Sequence, residues 1–220
     1  MKKITIFIIS IFIILFLSGC TNNDNNTVNE ETFNATNSTI SNNSTQNTSN
    51  SYNDATIELK QNATSPKEIE ISSFSTNLVN RYTNSKHNIS VACGILNGYT
   101  IENGEIFSFW NALGNTTAEK GYIKADSFDK DGKTIQTYGG GVCQVSSTLY
   151  NAVLACPSKL SVVERHPHSK PVNYVEQGKD ATVSYSSVDF KFQNSSGLPI
   201  KIYADYEDTS ITIRIVTLNS

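Results

Sequence analysis

Charged residues are scarce in this sequence, and basic residues form no cluster after Lys2 and Lys3. Its 220 residues include 17 Lys and Arg against 20 Asp and Glu, which gives a formal net charge of −3. A protein that binds nucleic acid needs a concentrated positive surface facing the phosphates. The composition therefore argues against nucleic acid as a partner.

Long apolar runs are also absent beyond the N-terminus. The run from Ile4 to Leu17 is apolar apart from Thr5 and Ser10, and its roughly 14 residues fall short of the roughly 20 that cross a bilayer. It follows a basic start and ends in Leu17-Ser18-Gly19-Cys20, where small residues precede a cysteine. This order is typical of a lipoprotein signal peptide with a lipobox over residues 1–20, rather than of a transmembrane anchor.

We therefore predict that Cys20 carries a lipid, so that the chain is extracytoplasmic and anchored to the cell membrane. Residues 21–65 are mostly Asn, Ser and Thr. With so few apolar side chains they cannot bury enough surface to offset chain entropy, which predicts a disordered tether. Asn-x-Ser/Thr triplets in the tether leave glycosylation open in a host that has the machinery.

Residues 66–220 have the length of one ordinary domain with a single core. Phe74, Leu78 and Tyr82 are spaced by four, which predicts a helix over 73–85. A second apolar cluster ends at Asn97-Gly98, a pair that suits a helix C-terminus. Glu105 begins an aromatic-rich stretch to residue 114 that is expected to be buried.

A third helix is predicted over 142–155, behind three glycines and ending before Pro157. Alternating apolar residues then predict strands over 160–163, 181–185, 188–193, 200–206 and 210–216. The expected fold is therefore α+β, with N-terminal helices followed by a mostly antiparallel sheet. Cys143 is expected at the start of the central helix.

Three cysteines remain if Cys20 carries a lipid, and an odd number leaves at least one thiol outside any disulfide. A helix between Cys143 and Cys156 would separate them by roughly 20 Å, which is too far for a disulfide. If a disulfide forms, we expect it to join Cys93 to Cys156 and to leave Cys143 free, as a nucleophile requires; a bond between Cys93 and Cys143 would rule against a catalytic Cys143.

A thiol in the first turn of a helix lies near unpaired N–H groups and the positive end of the helix dipole, which favour the thiolate. Cys143 has this position, and segments 164–169 and 178–180 supply histidines and a carboxylate downstream. Papain-like and transglutaminase-like thiol enzymes share this chain order, although a free cysteine is more often a small buried hydrophobe. A zinc site of Cys143, His166 and His168 is a further alternative, but no second ligand pair stands at zinc-motif spacing.

Seven motifs of the domain resemble, in the same order, the successive motifs of the VanW family. They occupy residues 97–98, 104–110, 120–122, 139–146, 164–169, 178–183 and 189–194. The family takes its name from an accessory protein of B-type vancomycin resistance clusters, and many members are exported envelope proteins. The resemblance covers nearly all of the predicted domain, although Asn103 stands where a proline is common. The peptidoglycan-binding modules of longer members are lacking, so wall attachment has no direct support.

Four residues match the family's motifs and could take part in chemistry, namely Cys143, Gln144, His168 and Asp180. His166 stands at a more variable position, so the resemblance makes it the weaker candidate for a base. We expect no cofactor and no metal. One hypothesis is a non-catalytic accessory protein of the cell envelope. The alternative is a thiol acyl-transfer enzyme, a hydrolase or transpeptidase acting on cell-wall peptide such as peptidoglycan. Cys143 would then be the nucleophile, His168 the base and acid, and Asp180 the orienting carboxylate. The N–H groups of Cys143 and Gln144 would form part of an oxyanion hole.

Overall fold

The computed structural model describes residues 66–129 and 131–219. The elements in chain order are β1 (Lys67–Asn77), α1 (Thr83–Leu96), β2 (Tyr99–Ile101), β3 (Ile106–Ser108), α2 (Phe109–Leu113), a 3-10 turn (Ala118–Lys120), β4 (Ala125–Phe128), β5 (Thr134–Thr137), α3 (Val142–Leu154), β6 (Leu160–Glu164), β7 (Lys191–Asn194), β8 (Ile200–Tyr206) and β9 (Ser210–Asn219).

These strands form three antiparallel sheets among the described residues. The largest has the strand order β1-β9-β8-β2, the second has the order β3-β7-β6, and β4 pairs with β5 in a hairpin. The α+β prediction with a mostly antiparallel sheet is therefore confirmed.

The core lies between the four-stranded sheet and the helices α1 and α3, which pack against it and against each other. Side chains along strand β9 alternate between the core and the opposite face of the sheet, and Ile211, Ile213 and Ile215 are buried in the core. The facing side chains of the helices are also apolar and buried, namely Ile89, Ala92, Cys93, Leu96, Val142, Val145, Leu149, Ala152 and Val153. Burial of this surface is the main favourable term in folding.

The helix predicted over 73–85 is wrong, because residues up to Asn77 belong to β1 and α1 begins only at Thr83. The spacing of Phe74 and Leu78 does fit a helix, but β1 pairs with β9 along nearly its whole length. A strand in this position satisfies its backbone groups through the ladder, and that tertiary pairing overrides the local pattern. The first element of the domain is therefore a strand.

Other boundaries follow the sequence more closely. Helix α1 ends at Leu96, and Gly98 then has the left-handed conformation with φ 86°. Helix α3 starts at Val142 as predicted. The strand predicted over 181–185 is wrong, because that segment makes only isolated bridges, Thr182 with His166 and Ser184 with Val188.

The predicted signal peptide, Cys20 and the predicted tether over 21–65 lie outside the described residues. Within the described part of the chain, no helix is long and apolar enough to cross a membrane.

Candidate active site

The three glycines before α3 allow the chain to turn tightly against neighbouring backbone. A Cβ on Gly140 would lie 2.6 Å from the carbonyl oxygens of Ala125 and Asp126. Gly141 has φ 104°, and a Cβ there would lie 2.7 Å from the Ser85 carbonyl oxygen. The buried Asn88 amide donates to the Gly140 carbonyl at 3.0 Å and holds the loop in place. The glycines therefore fix the start of α3 by close packing, rather than by flexibility.

Cys143 is the second residue of α3 and is partly exposed to a large cavity. Its sulfur lies 3.4 Å from the Val183 carbonyl and 3.7 Å from the Thr182 hydroxyl. The His168 side chain lines the same cavity, and its hydrogen bonding and charge lower the pKa of the thiol. Among the described residues, the contacts of the sulfur that have hydrogen-bond geometry are those with Thr182 and Val183.

His168 connects the thiol to a carboxylate. Its Nδ1 lies 2.7 Å from Asp180 Oδ2, and its backbone N–H donates to the same oxygen at 2.6 Å. Because Nδ1 is engaged by the carboxylate, the other ring nitrogen is the one left to act on Cys143. His168 lies in the loop after β6. The predicted contact between Asp180 and the imidazole is present.

The thiol and the imidazole shift each other's pKa toward the ionised pair. Burial alone would raise the pKa of the Cys143 thiol, but the hydrogen bond and charge of His168 bring it below its ordinary value of 9.0. Burial alone would lower the pKa of His168, but Cys143 and then Asp180 bring it above its ordinary value of 6.5. Both shifts favour a thiolate beside an imidazolium.

Arg165 holds the far side of Asp180. Its Nη2 lies 2.9 Å from Asp180 Oδ1, its Nε donates to the Asp180 carbonyl at 2.5 Å, and its guanidinium lies over the Tyr150 ring at 5.3 Å. The Asp180 side chain is only 10% exposed. The sequence analysis did not identify Arg165 as a site residue, although it lies in the same motif as His168. Its position three residues before the candidate base could have indicated a role in the site.

A polar stripe on α3 holds the segment that carries Asp180. The Ser147 hydroxyl accepts from the Ala181 N–H at 2.9 Å, Ser146 donates to the Ala181 carbonyl at 2.5 Å, and the Asn151 amide donates to the Lys179 carbonyl at 2.7 Å. All three side chains are buried. The nucleophile and the orienting carboxylate are therefore fixed by one helix.

Gln144 has a different role from the one predicted. Its N–H donates to the Gly141 carbonyl at 3.0 Å, so it is already used within the turn. Its buried side chain donates to Thr76 Oγ1 at 3.1 Å and accepts from Arg81 Nε at 2.6 Å. By contrast, no acceptor for the Cys143 N–H is found among the described residues. In this conformation the Cys143 N–H is available to an oxyanion and the Gln144 N–H is engaged, and the oxyanion hole stays a prediction.

The cavity beside Cys143 has a volume of about 1080 Å³. Its wall includes the side chains of His168 and Arg81, with aromatic residues from several elements, namely Trp110, Phe128, Tyr138, Tyr174 and Tyr185. A volume of this size is at the upper end for a ligand-binding cleft. The thiol is therefore reachable by a peptide-sized molecule.

His166 does not join the site. Its Nε2 lies 3.0 Å from Glu164 Oε1, and its side chain is 46% exposed. The zinc alternative of Cys143, His166 and His168 is therefore not assembled, and the described ranges contain no group of three or more metal-ligating side chains. No disulfide joins the cysteines of residues 66–129 and 131–219.

Comparison with known proteins identifies the family of this chain. A family model described as "VanW like protein" matches residues 84–216, which is more than half of the chain. The chain belongs to the VanW family. The match includes Cys143, His168 and Asp180, whereas Arg81 lies just before it.

Two curated proteins are similar to this VanW-family chain. Uncharacterized protein YoaR of Bacillus subtilis (strain 168) is 41% identical over 129 residues, which cover 59% of this chain and 42% of that protein. Vancomycin B-type resistance protein VanW of Enterococcus faecalis (strain ATCC 700802 / V583) is 31% identical over 133 residues, which cover 58% of this chain and 47% of that protein. The alignments therefore span less than half the length of either relative. No solved structure matches the chain.

Proposed function

We propose that this VanW domain is a thiol-dependent acyl-transfer enzyme. The observation that carries the proposal is the position of His168, which contacts Asp180 at 2.7 Å and lines the same cavity as the Cys143 thiol. A nucleophile, a base and a group that orients the base are the three parts that covalent acyl transfer requires. A buried structural cysteine needs neither an imidazole partner nor an accessible cavity.

The chemistry follows from these contacts. The Cys143 thiolate attacks an amide carbonyl carbon, a C–S bond forms, and the carbonyl electrons move to its oxygen. His168 then gives its proton to the amide nitrogen, the C–N bond breaks, and a thioester remains. Water, or an amine in a transpeptidase, loses a proton to His168 and attacks the thioester carbon, which releases the thiolate. Asp180 keeps the imidazole oriented and stabilises its charged form.

The Cys143 N–H supplies one donor for the oxyanion. Its place in the first turn of the 13-residue helix α3 adds the positive end of the helix dipole. A preorganised donor of this kind is worth roughly 10²–10³-fold in rate in other enzymes.

The substrate class in this proposal is an amide of cell-wall peptide. A lipid on Cys20 would hold the domain outside the cell membrane, near that material. The name of one relative connects that protein with vancomycin B-type resistance. Peptidoglycan peptide is therefore the first substrate to test, with the anchoring membrane as the second partner.

The test compares the alkylation of Cys143 by iodoacetamide at about pH 6.5 in the full chain and its variants, followed by peptide mass spectrometry. Cys143 is expected to react faster than an ordinary solvent-exposed thiol. His168→Ala should remove the advantage, because the remaining effect of burial raises the thiol pKa. His166→Ala is the matched control, since that imidazole is exposed and pairs with Glu164 instead.

The same full chain is then incubated with peptidoglycan fragments and quenched in acid. A mass increase on Cys143 that is absent in Cys143→Ser identifies the acyl-enzyme. Slow alkylation that is indifferent to His168→Ala, together with no acyl-enzyme, contradicts the proposal and favours a non-catalytic accessory protein.

A further inference from the structure

Arg81 is held rigidly in the wall of the catalytic cavity. Its Nε donates to Gln144 Oε1 at 2.6 Å, and its guanidinium lies over the Tyr174 ring at 4.7 Å. Gln144 is itself fixed by Thr76 and by the Asn77 carbonyl, to which its amide donates at 3.0 Å. The guanidinium is thus oriented before any ligand arrives, and the cost of ordering it on binding is small.

Among the described residues, the Arg81 guanidinium differs from those of Arg165 and Arg214 because no acidic side chain pairs with it. Arg165 pairs with Asp180 at 2.9 Å, and Arg214 pairs with Asp205 at 3.1 Å. No carboxylate of residues 66–129 and 131–219 lies within ion-pairing distance of Arg81. Burial lowers its pKa, which reports that the charge is only partly compensated. Partly buried charges are normally paired.

We propose that Arg81 binds a carboxylate of the substrate, on the residue that follows the amide attacked by Cys143. This inference rests on the proposed acyl-transfer function and specifies its substrate class as peptides with an acidic group beside the scissile bond. A guanidinium offers a planar fork of N–H donors that fits a carboxylate with two parallel hydrogen bonds. With Nε used by Gln144, the two Nη groups remain for the ligand.

The location supports a carboxylate close to the reacting carbonyl. Cys143 and Gln144 are neighbours on α3, and the Gln144 side chain accepts a hydrogen bond from Arg81. The same turn of helix therefore determines the positions of the nucleophile and of the guanidinium. The Cys143 and Arg81 side chains also line the same cavity. In a peptide, a terminal carboxylate is separated from the preceding amide carbonyl by only a few bonds. A C-terminal residue therefore fits this arrangement, with cleavage or transfer at the last amide bond.

The other charges of the cavity favour a singly charged group over a dianion such as a phosphate. Asp126 and Asp129 also line the cavity and would repel additional negative charge. Lys170 also lines the cavity, and its ammonium donates to the Gly132 carbonyl at 2.8 Å, whereas the charge of the His168 imidazolium is balanced by Asp180 and the thiolate.

The test uses two reagents that react at the same sulfur, iodoacetate, which carries a carboxylate, and iodoacetamide, which is neutral. The ratio of their rates at Cys143 in the full chain reports binding of the carboxylate, whereas the iodoacetamide rate alone reports the thiolate. We expect Arg81→Gln to lower the ratio by about tenfold, in line with the loss of a charge-assisted hydrogen bond. Arg81→Lys should retain part of the ratio, and the surface variant Arg214→Gln should leave it unchanged.

Protection from iodoacetamide then identifies the source of the carboxylate. The probes are acetyl-alanyl-alanine as the free acid, the same peptide as its C-terminal amide, and acetyl-alanyl-glutamate whose C-terminal carboxyl is amidated and whose side-chain carboxylate is free. Protection by the first or third peptide that disappears in Arg81→Gln supports the proposal and assigns a terminal or a side-chain carboxylate. Equal protection by the neutral peptide, or an unchanged rate ratio in Arg81→Gln, overturns it.

Failure of the acyl-transfer function can be distinguished from failure of carboxylate binding by Arg81. If Cys143 reacts no faster than an ordinary thiol, the acyl-transfer function fails. The rate ratio can still be measured at about pH 9, where an ordinary thiol is largely ionised.

Discussion

Replacing Asp180 with asparagine is the sharpest test of the site's construction. The carboxylate accepts from His168 N at 2.6 Å and His168 Nδ1 at 2.7 Å on one oxygen, and pairs with Arg165 at 2.9 Å on the other. An amide keeps only one of these two oxygens. In either orientation its NH2 group faces a donor, Arg165 or the His168 N–H, so one buried donor loses its acceptor.

The magnitude follows from the burial of the pair. Removing one partner of a buried charge pair costs about 3–5 kcal/mol, and the slight exposure of Asp180 favours the lower end. For a domain of this size each kcal/mol shifts the melting temperature by roughly 2–4 °C, so a decrease of roughly 6–12 °C is expected. The assay is thermal unfolding at pH 6, with Asp205→Asn as control. That side chain is 50% exposed and pairs with Arg214 on the surface, so its loss should cost at most about 1 kcal/mol.

The pH dependence gives a second, independent signature. Burial alone would raise the pKa of Asp180, but hydrogen bonds from His168 hold it below its ordinary value of 3.8. Its stabilising contribution is therefore present above pH 3.8 and is lost as the pH falls through the lower folded value. The pKa of His168 is raised above 6.5, so its contribution is present below pH 6.5 and is lost as the pH rises through the higher folded value.

The stability gap between the wild type and Asp180→Asn should therefore be largest between pH 3.8 and 6.5 and narrow on both sides. The pairing with Arg165 leaves a residual gap at high pH. The variant should also alkylate more slowly at Cys143, because a less charged imidazole stabilises the thiolate less. A gap below about 1 kcal/mol, or one independent of pH, would refute the assigned role of the carboxylate.

Four further predictions concern other parts of the chain. Gly140→Ala should destabilise the domain by about 1–3 kcal/mol in urea unfolding, because its Cβ meets backbone oxygens. Gly94→Ala should instead be neutral or stabilising by up to about 1 kcal/mol, since that exposed helical position has no neighbour within 4 Å. Cys93 should resist iodoacetamide in the native protein, because burial raises its pKa to about 12. Cys20→Ser should abolish metabolic lipid labelling and release the protein from membranes, and unchanged labelling would exclude the lipobox assignment.

The central helix and the site residues could be predicted because their signals are local. The glycines, the apolar spacing from Val142 and the stop before Pro157 together define α3, and its start is where Cys143 lies. The contact of His168 with Asp180 joins residues only 12 positions apart. The resemblance to the VanW family supplied the choice of His168 over His166.

The predictions that were wrong concern segments whose structure depends on contacts with residues distant in the sequence. Strand β1 pairs with β9, more than a hundred residues away, so nothing near Phe74 reveals that the segment is extended. The segment at 181–185 alternates like a strand, but Ala181 bonds to Ser146 and Ser147 on α3 instead of to a neighbouring strand. The availability of the Arg81 guanidinium depends on the positions of the acidic side chains in the folded domain. No local sequence pattern predicts those positions.

The buried polar stripe of α3 explains why this helix can carry a reactive thiol at a fixed distance from its partners. A helix in a core normally presents apolar residues, because each buried hydroxyl or amide without a partner costs free energy. On α3 that cost is offset, since the side chains of Ser146, Ser147 and Asn151 all bond to backbone groups of residues 179–181. These bonds replace a strand ladder for the segment. The segment that places Asp180 against His168 is therefore bound directly to the helix that carries Cys143, and the two are positioned as one unit.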